Sequence, residues 1–144
     1  VPNILPDKFE AGTLNIPGII GLSTALDFLE KTGLENIHKY EMKLCSHFLE
    51  GIKKIDGISI LGSVDIRKRT AVGSITTKLK DLAFELENDY GIQVRTGLHC
   101  SPNAHKTLGS FPNGSIRFSF SYFNTIEEIN ICLSALNKIL NKKV

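Results

Sequence analysis

The sequence lacks several common signatures, and each absence excludes a class of function. No CxxC pair occurs among the three cysteines, Cys45, Cys100 and Cys132, which removes a zinc site built on cysteine spacing. There is no HExxH, no other metal motif and no phosphate-binding glycine loop. No apolar run approaches the ~20 residues that a membrane span requires, so no membrane association is expected. Charge is almost balanced, at +2 overall with 22% charged residues, and leaves no electrostatic footprint for a nucleic acid. No internal repeat or low-complexity segment is present. An odd number of cysteines without a signal peptide predicts a reducing compartment, the cytoplasm.

The residues present are enough for one ordinary domain. A chain of 144 residues with 42% apolar residues can bury a core without disulfides or metal. Val1 to Pro6 reads as extended, without an initiator methionine, as if entering from something before it. Phe9 to Thr13 reads as a loop. Pro17 then opens an apolar-periodic helix ended by Gly33. A longer helix is predicted over Leu34 to Ile55, with Ile37, Tyr40, Met42, Leu44, Phe48, Leu49 and Ile52 inward and Gly57 closing it. Strands are predicted at Ile58 to Leu61, Ala71 to Thr76, Ile92 to Arg95 and Ser115 to Phe120, with Arg67 to Arg69 in a loop. Asp81 to Tyr90 reads as a helix with Leu82, Phe84, Leu86 and Tyr90 inward. Thr125 followed by Glu128 makes a capping box for a last helix to about Leu140. Lys138, Lys142 and Lys143 then form a solvated helix end. The expected class is α+β, a small antiparallel or mixed sheet covered by helices.

The chemistry concentrates around Cys100. A thiol is a nucleophile only as thiolate, and positive charge nearby favours that form. Arg95, His99 and His105 are its neighbours in sequence, and a turn at Gly97 would expose Leu98 to Cys100. Cys45 and Cys132 lie inside amphipathic stretches and read as core. Arg117 stands in an apolar β-like segment, where a charge is costly unless it is paired or faces a cleft. It is either a salt-bridge partner of a glutamate such as Glu127 or a carboxylate clamp, since a guanidinium holds a carboxylate through two parallel hydrogen bonds. His99 is a base, an orienting group or a plain loop residue. Thr13 after Gly12 can donate a hydroxyl and a backbone N–H to a phosphate oxygen. Lys106 follows His105, but in a polar loop it lacks the desolvated pocket that a Schiff-base lysine needs. Together these residues suggest thiol chemistry on a small acid.

Three segments carry a family resemblance. Phe9-Glu10-Ala11-Gly12-Thr13-Leu14-Asn15 with Pro17-Gly18-Ile19-Ile20-Gly21-Leu22, then Val94-Arg95-Thr96-Gly97-Leu98-His99-Cys100, then Ser115-Ile116-Arg117-Phe118-Ser119 with Tyr122-Phe123-Asn124-Thr125, occur in the order found in class V aminotransferases. The chain resembles the C-terminal small domain of the cysteine desulfurase and selenocysteine lyase type. The resemblance implies a parent enzyme using pyridoxal phosphate to convert L-cysteine or selenocysteine to alanine. Cys100 would be the catalytic nucleophile that becomes a persulfide, with His99 beside it in the catalytic loop. Arg117 would bind the substrate α-carboxylate, with Arg95 nearby. Gly12 and Thr13 would reach the cofactor phosphate of the neighbouring subunit in a homodimer, and a sulfur-acceptor protein would take the product.

The sequence departs from that family in two respects. Leu98 stands where the nearest group often has histidine. The residues 1–144 also match only the small domain, so the family's cofactor lysine is expected in a large domain absent from this chain, and the isolated chain is expected to be inactive. The rival expectations are a class V aminotransferase or lyase that does not use Cys100, and a free-standing sulfur-carrier or interaction domain.

Overall fold

Glycines and helix caps punctuate the apolar stretches and set the element order. A computed structural model describes residues 3–10 and 12–142. The chain divides into two compact units, Val1–Ile37 and His38–Val144.

The first unit opens with turns where the sequence predicts an extended segment. Lys8 N–H donates to the Ile4 carbonyl at 2.8 Å and Phe9 N–H to that of Pro6 at 2.9 Å, coiling the chain into the 3-10 turn Asp7–Phe9. Val1 and Pro2 of that segment, and Ala11 of the predicted loop, lie outside the described residues. Helix α1 (Ile16–Thr32) starts with the Asn15 side chain accepting from Gly18 N–H, carries its proline in the first turn and ends at Gly33, as predicted.

In the second unit, helix α2 (Leu34–Ile52), which begins in the first, buries Leu44, Cys45, Phe48, Leu49 and Ile52. It stops three residues before the predicted end. Lys54 N–H bonds to Gly51 and Ile55 N–H to Ile52, so the last turn tightens to 3-10 geometry. Strands β1 (Ile58–Leu61) and β2 (Val72–Thr77) flank a short 3-10 turn, Ile66–Lys68, in the predicted loop. Helix α3 (Leu82–Tyr90) buries Leu82 and Leu86, four apart on one face. Phe84 falls between them in sequence and so on the opposite side, 70% exposed, which corrects its assignment to the core.

Strand β3 (Arg95–Gly97) begins at the last residue of the predicted strand rather than at Ile92. The reason is the α3 cap. Gly91 N–H returns to Glu87 and Ile92 N–H to Leu86, so Ile92 finishes the helix. A short helix α4 (Pro102–Thr107) occupies a segment predicted as loop, and Lys106 lies exposed on it. Strand β4 (Ser115–Ser119) and helix α5 (Ile126–Asn141) complete the unit, α5 with the predicted capping box between Thr125 and Glu128. Lys138 and Lys142 are exposed at its end, and Lys143 lies outside the described residues.

The four strands form one antiparallel sheet in the order β1-β2-β4-β3. This is the expected α+β class, with the antiparallel alternative realised. Ile75 opposite Ile116 and Gly73 opposite Phe118 present one face to α2, α3 and α5. Phe48 anchors that contact, its ring centroid 4.8 Å from Phe118 and 5.1 Å from Phe120. A Cβ on Gly73 would lie 2.7 Å from Phe48 Cε1, so the missing side chain lets the ring reach the sheet. Side chains alternate across a strand. Ser115 and Arg117 of β4 therefore lie on the other face, away from this core, where the candidate site residues of this strand stand.

Candidate active site

Two strands and a turn assemble the site. Arg95 and Arg117 are direct partners across β3 and β4, and Gly97 is opposite Ser115 two residues on. The strands approach closely there. A Cβ on Gly114 would collide with the Gly97 main chain, and Gly114 has φ +78° while Gly97 has φ +98°.

The chain then reverses in a tight turn over Leu98 to Ser101, closed by Ser101 N–H to the Leu98 carbonyl at 2.8 Å. His99 (φ +49°) and Cys100 (φ +59°) are its two central residues, both left-handed. That is the conformation of a type I′ turn, which glycine and asparagine usually occupy. An ordinary side chain there costs on the order of 1–2 kcal/mol. Cys100 is thereby held out in solvent, whereas Cys45 and Cys132 are buried. Burial raises the Cys45 thiol, against the opposing charge of Arg69, and pushes Cys132 up to about 12. Both are the core residues expected, and Cys100 is the accessible thiol.

His99 is anchored back to the sheet. Its Nε2 lies 3.1 Å from Ser115 Oγ. Its Nδ1 is buried and has no hydrogen-bond partner. Burial lowers the pKa of the imidazole, and the charges of Arg117 and His105 push it the same way, so His99 is held neutral. A neutral imidazole keeps one nitrogen able to accept a proton.

Arg117 is half-buried, and its Nε is likewise buried without a partner. Among the described residues no carboxylate, Glu127 included, pairs with it. An unpaired guanidinium nitrogen in this position can bind an anion, and the two parallel donors of arginine suit a carboxylate. Arg95 is exposed beside it. His99, Arg95 and Arg117 are thus brought to one face of the sheet, and Cys100 is exposed in the turn that follows β3. Gly12 and Thr13 are exposed residues of the first unit. Sequence reasoning missed the serines. Ser115 tethers His99, and Ser110 Oγ lies 2.7 Å from Nδ1 of the buried His105. The Ser101-Pro102 pair, a helix start, was the available signal for α4, which carries His105 into place.

The turn segment and the arginine strand both fall within residues 3–131, which match the family model for aminotransferase class V. The chain belongs to this family. A protein of Xylella fastidiosa named "Probable cysteine desulfurase" is 39% identical over 141 residues, covering 95% of this chain and 32% of that protein. The apo structure of a cysteine desulfurase from Thermococcus onnurineus superposes with a TM-score of 0.83 at 34% identity, over 95% of this chain and 34% of that one. The cysteine desulfurase CsdA from Escherichia coli gives a TM-score of 0.77 at 26% identity, over 94% and 33%. The chain therefore spans about a third of the length of the relatives it matches.

Class V aminotransferases use pyridoxal phosphate, which needs a lysine shielded from water for its Schiff base. Every lysine among the described residues is exposed, and Lys106 lies over the Phe111 ring with its Nζ 5.4 Å from the centroid. The described residues thus do not fit the attachment point of the cofactor.

Proposed function

We propose that this chain is the small domain of a longer pyridoxal-phosphate-dependent cysteine desulfurase, in which Cys100 takes sulfur from L-cysteine as a persulfide. The observation that carries the reading is the pairing of one exposed thiol on a left-handed turn with an unpaired, buried guanidinium nitrogen on the adjoining strand pair. The names of the relatives and their length, about three times that of this chain, support it.

In this reading Arg117 holds the substrate carboxylate, with Arg95 adding positive charge at the rim. The Cys100 thiolate attacks the substrate sulfur. A sulfur–sulfur bond forms as the carbon–sulfur bond breaks, and the electron pair stays on carbon, which takes a proton to become the methyl group of alanine. Pyridoxal phosphate, bound by the rest of the longer protein, supplies the electron sink for that cleavage. The neutral His99, next to Cys100 in the chain, would serve as proton acceptor. The exposure of Cys100 suits hand-over of sulfur to an acceptor protein, and three unpaired thiols suit the cytoplasm. Gly12 and Thr13 would reach the cofactor phosphate across a homodimer, and this chain alone would not turn over.

The test uses the longer protein loaded with pyridoxal phosphate. After addition of L-cysteine without reductant, mass spectrometry should find one extra sulfur on the peptide containing Cys100. Cys100→Ala should abolish sulfur release and leave the cofactor bound. An unmodified Cys100 in the loaded protein would move the assignment to an aminotransferase or lyase with another substrate.

A further inference from the structure

Helix α4 buries a single residue, and that residue is a histidine. His105 is 5% exposed while the other five residues of the helix are open to solvent. An apolar side chain would fill such a position without the cost of desolvating a polar ring. His105 is instead tied down on several sides. Its Nδ1 lies 2.7 Å from Ser110 Oγ, itself buried. Its main-chain carbonyl accepts from Ser110 N–H at 2.9 Å and Phe111 N–H at 3.1 Å, which wraps the next segment of chain around it. Its ring stands 5.7 Å from that of His99, tilted by 43°.

His99 therefore has two supports. Ser115 binds its Nε2 from the sheet, and His105 walls its ring from α4. Both supports bear on one of the two strained residues of the turn that presents Cys100. Left-handed backbone at an ordinary residue persists only where the surroundings over-determine it. We propose that His105, fixed by Ser110, is a positioning residue that holds His99 and so keeps the Cys100 thiol in its presented conformation. The proposal rests on Cys100 being the reactive thiol of the proposed function. Ser110→Ala and His105→Phe each remove the Nδ1 hydrogen bond, and His105→Phe retains a ring against His99.

The experiment is the rate of Cys100 alkylation by iodoacetamide in this full chain, in which Cys45 and Cys132 are buried. It needs no cofactor. We expect Ser110→Ala and His105→Phe to slow alkylation at least fivefold. Ser110→Thr should keep the rate within twofold of the parent, because it keeps the hydroxyl that meets His105 Nδ1. Unchanged rates in the first two variants would overturn the proposal. So would equal slowing in all three with a parallel loss of thermal stability, which would make Ser110 merely a packing residue. A parent chain alkylated at Cys100 that yields no persulfide in the longer protein would instead sink the desulfurase assignment, so the two failures are separable.

Discussion

Arg95 and Arg117 stand directly opposite each other across β3 and β4, two like charges on one face of the sheet, and among the described residues no carboxylate pairs with either. Like charges directly opposite destabilise a strand pair by roughly 0.2–1 kcal/mol. Arg95→Gln should therefore stabilise the chain by a few tenths of a kcal/mol up to about 1 kcal/mol. Urea denaturation would show the gain at low salt and its disappearance as salt rises. A loss of stability at low salt would contradict it.

His99 should make stability fall in mild acid. Its pKa in the fold is pushed below the ordinary 6.5, chiefly by burial and then by the charges of Arg117 and His105. Above about 6.5 it is neutral in both folded and unfolded chains and contributes no pH dependence. As the pH drops below that value the unfolded chain takes the proton first, so stability declines until the folded ring is protonated too. Thermal melting across mild acid, from about one pH unit above the ordinary histidine value to one below it, should show this decline. His99→Gln, which keeps a polar atom near Ser115, should reduce the slope.

Gly114→Ala should be far more damaging than Gly109→Ala. Both glycines have positive φ, +78° and +72°, so both pay for a left-handed side chain. At Gly109 the added methyl meets nothing within 4 Å, whereas at Gly114 it meets the Gly97 backbone. The expected loss is about 1 kcal/mol at Gly109 and several times that at Gly114, where the β3–β4 approach must open. Equal denaturation midpoints would refute the difference.

Thr125→Ala should loosen the start of α5. The Thr125 hydroxyl accepts from Glu128 N–H at 3.2 Å, and the Glu128 carboxylate accepts from Thr125 N–H at 2.7 Å. Losing the threonine half of such a box costs about 1 kcal/mol. Hydrogen exchange at the first turn of α5 should quicken in the variant, while exchange at its buried middle, around Leu136, should change only by the global loss.

How far these elements are legible in the sequence depends on what fixes them. Strand β1, the helix cap at Gly33 and the Thr125–Glu128 box are local, and the residues that make them are adjacent. The start of β3 is hidden because Ile92 and Val94 are apolar and alternate like a strand, yet Ile92 N–H is already spent on Leu86. Phe84 misleads because hydrophobicity does not say which side of a short helix faces inward. Helix α4, at six residues, is too short for a periodic signal. At the site, Cys100 is legible from its neighbours in sequence. The pairing of Arg117 with Arg95, and of two histidines with Ser110 and Ser115, exists only once β4 has paired with β3 and the chain between them has folded back.

The unequal exposure of the three sulfurs also fixes the valence of the chain toward oxidation. Cys45 and Cys132 are 0% and 6% exposed, and Cys100 is open. One reachable thiol per chain can form one bridge, and only to another molecule. Air oxidation of the folded chain should therefore end at a covalent pair joined through Cys100, with no longer ladder on a non-reducing gel, and Cys100→Ala should leave no covalent species at all.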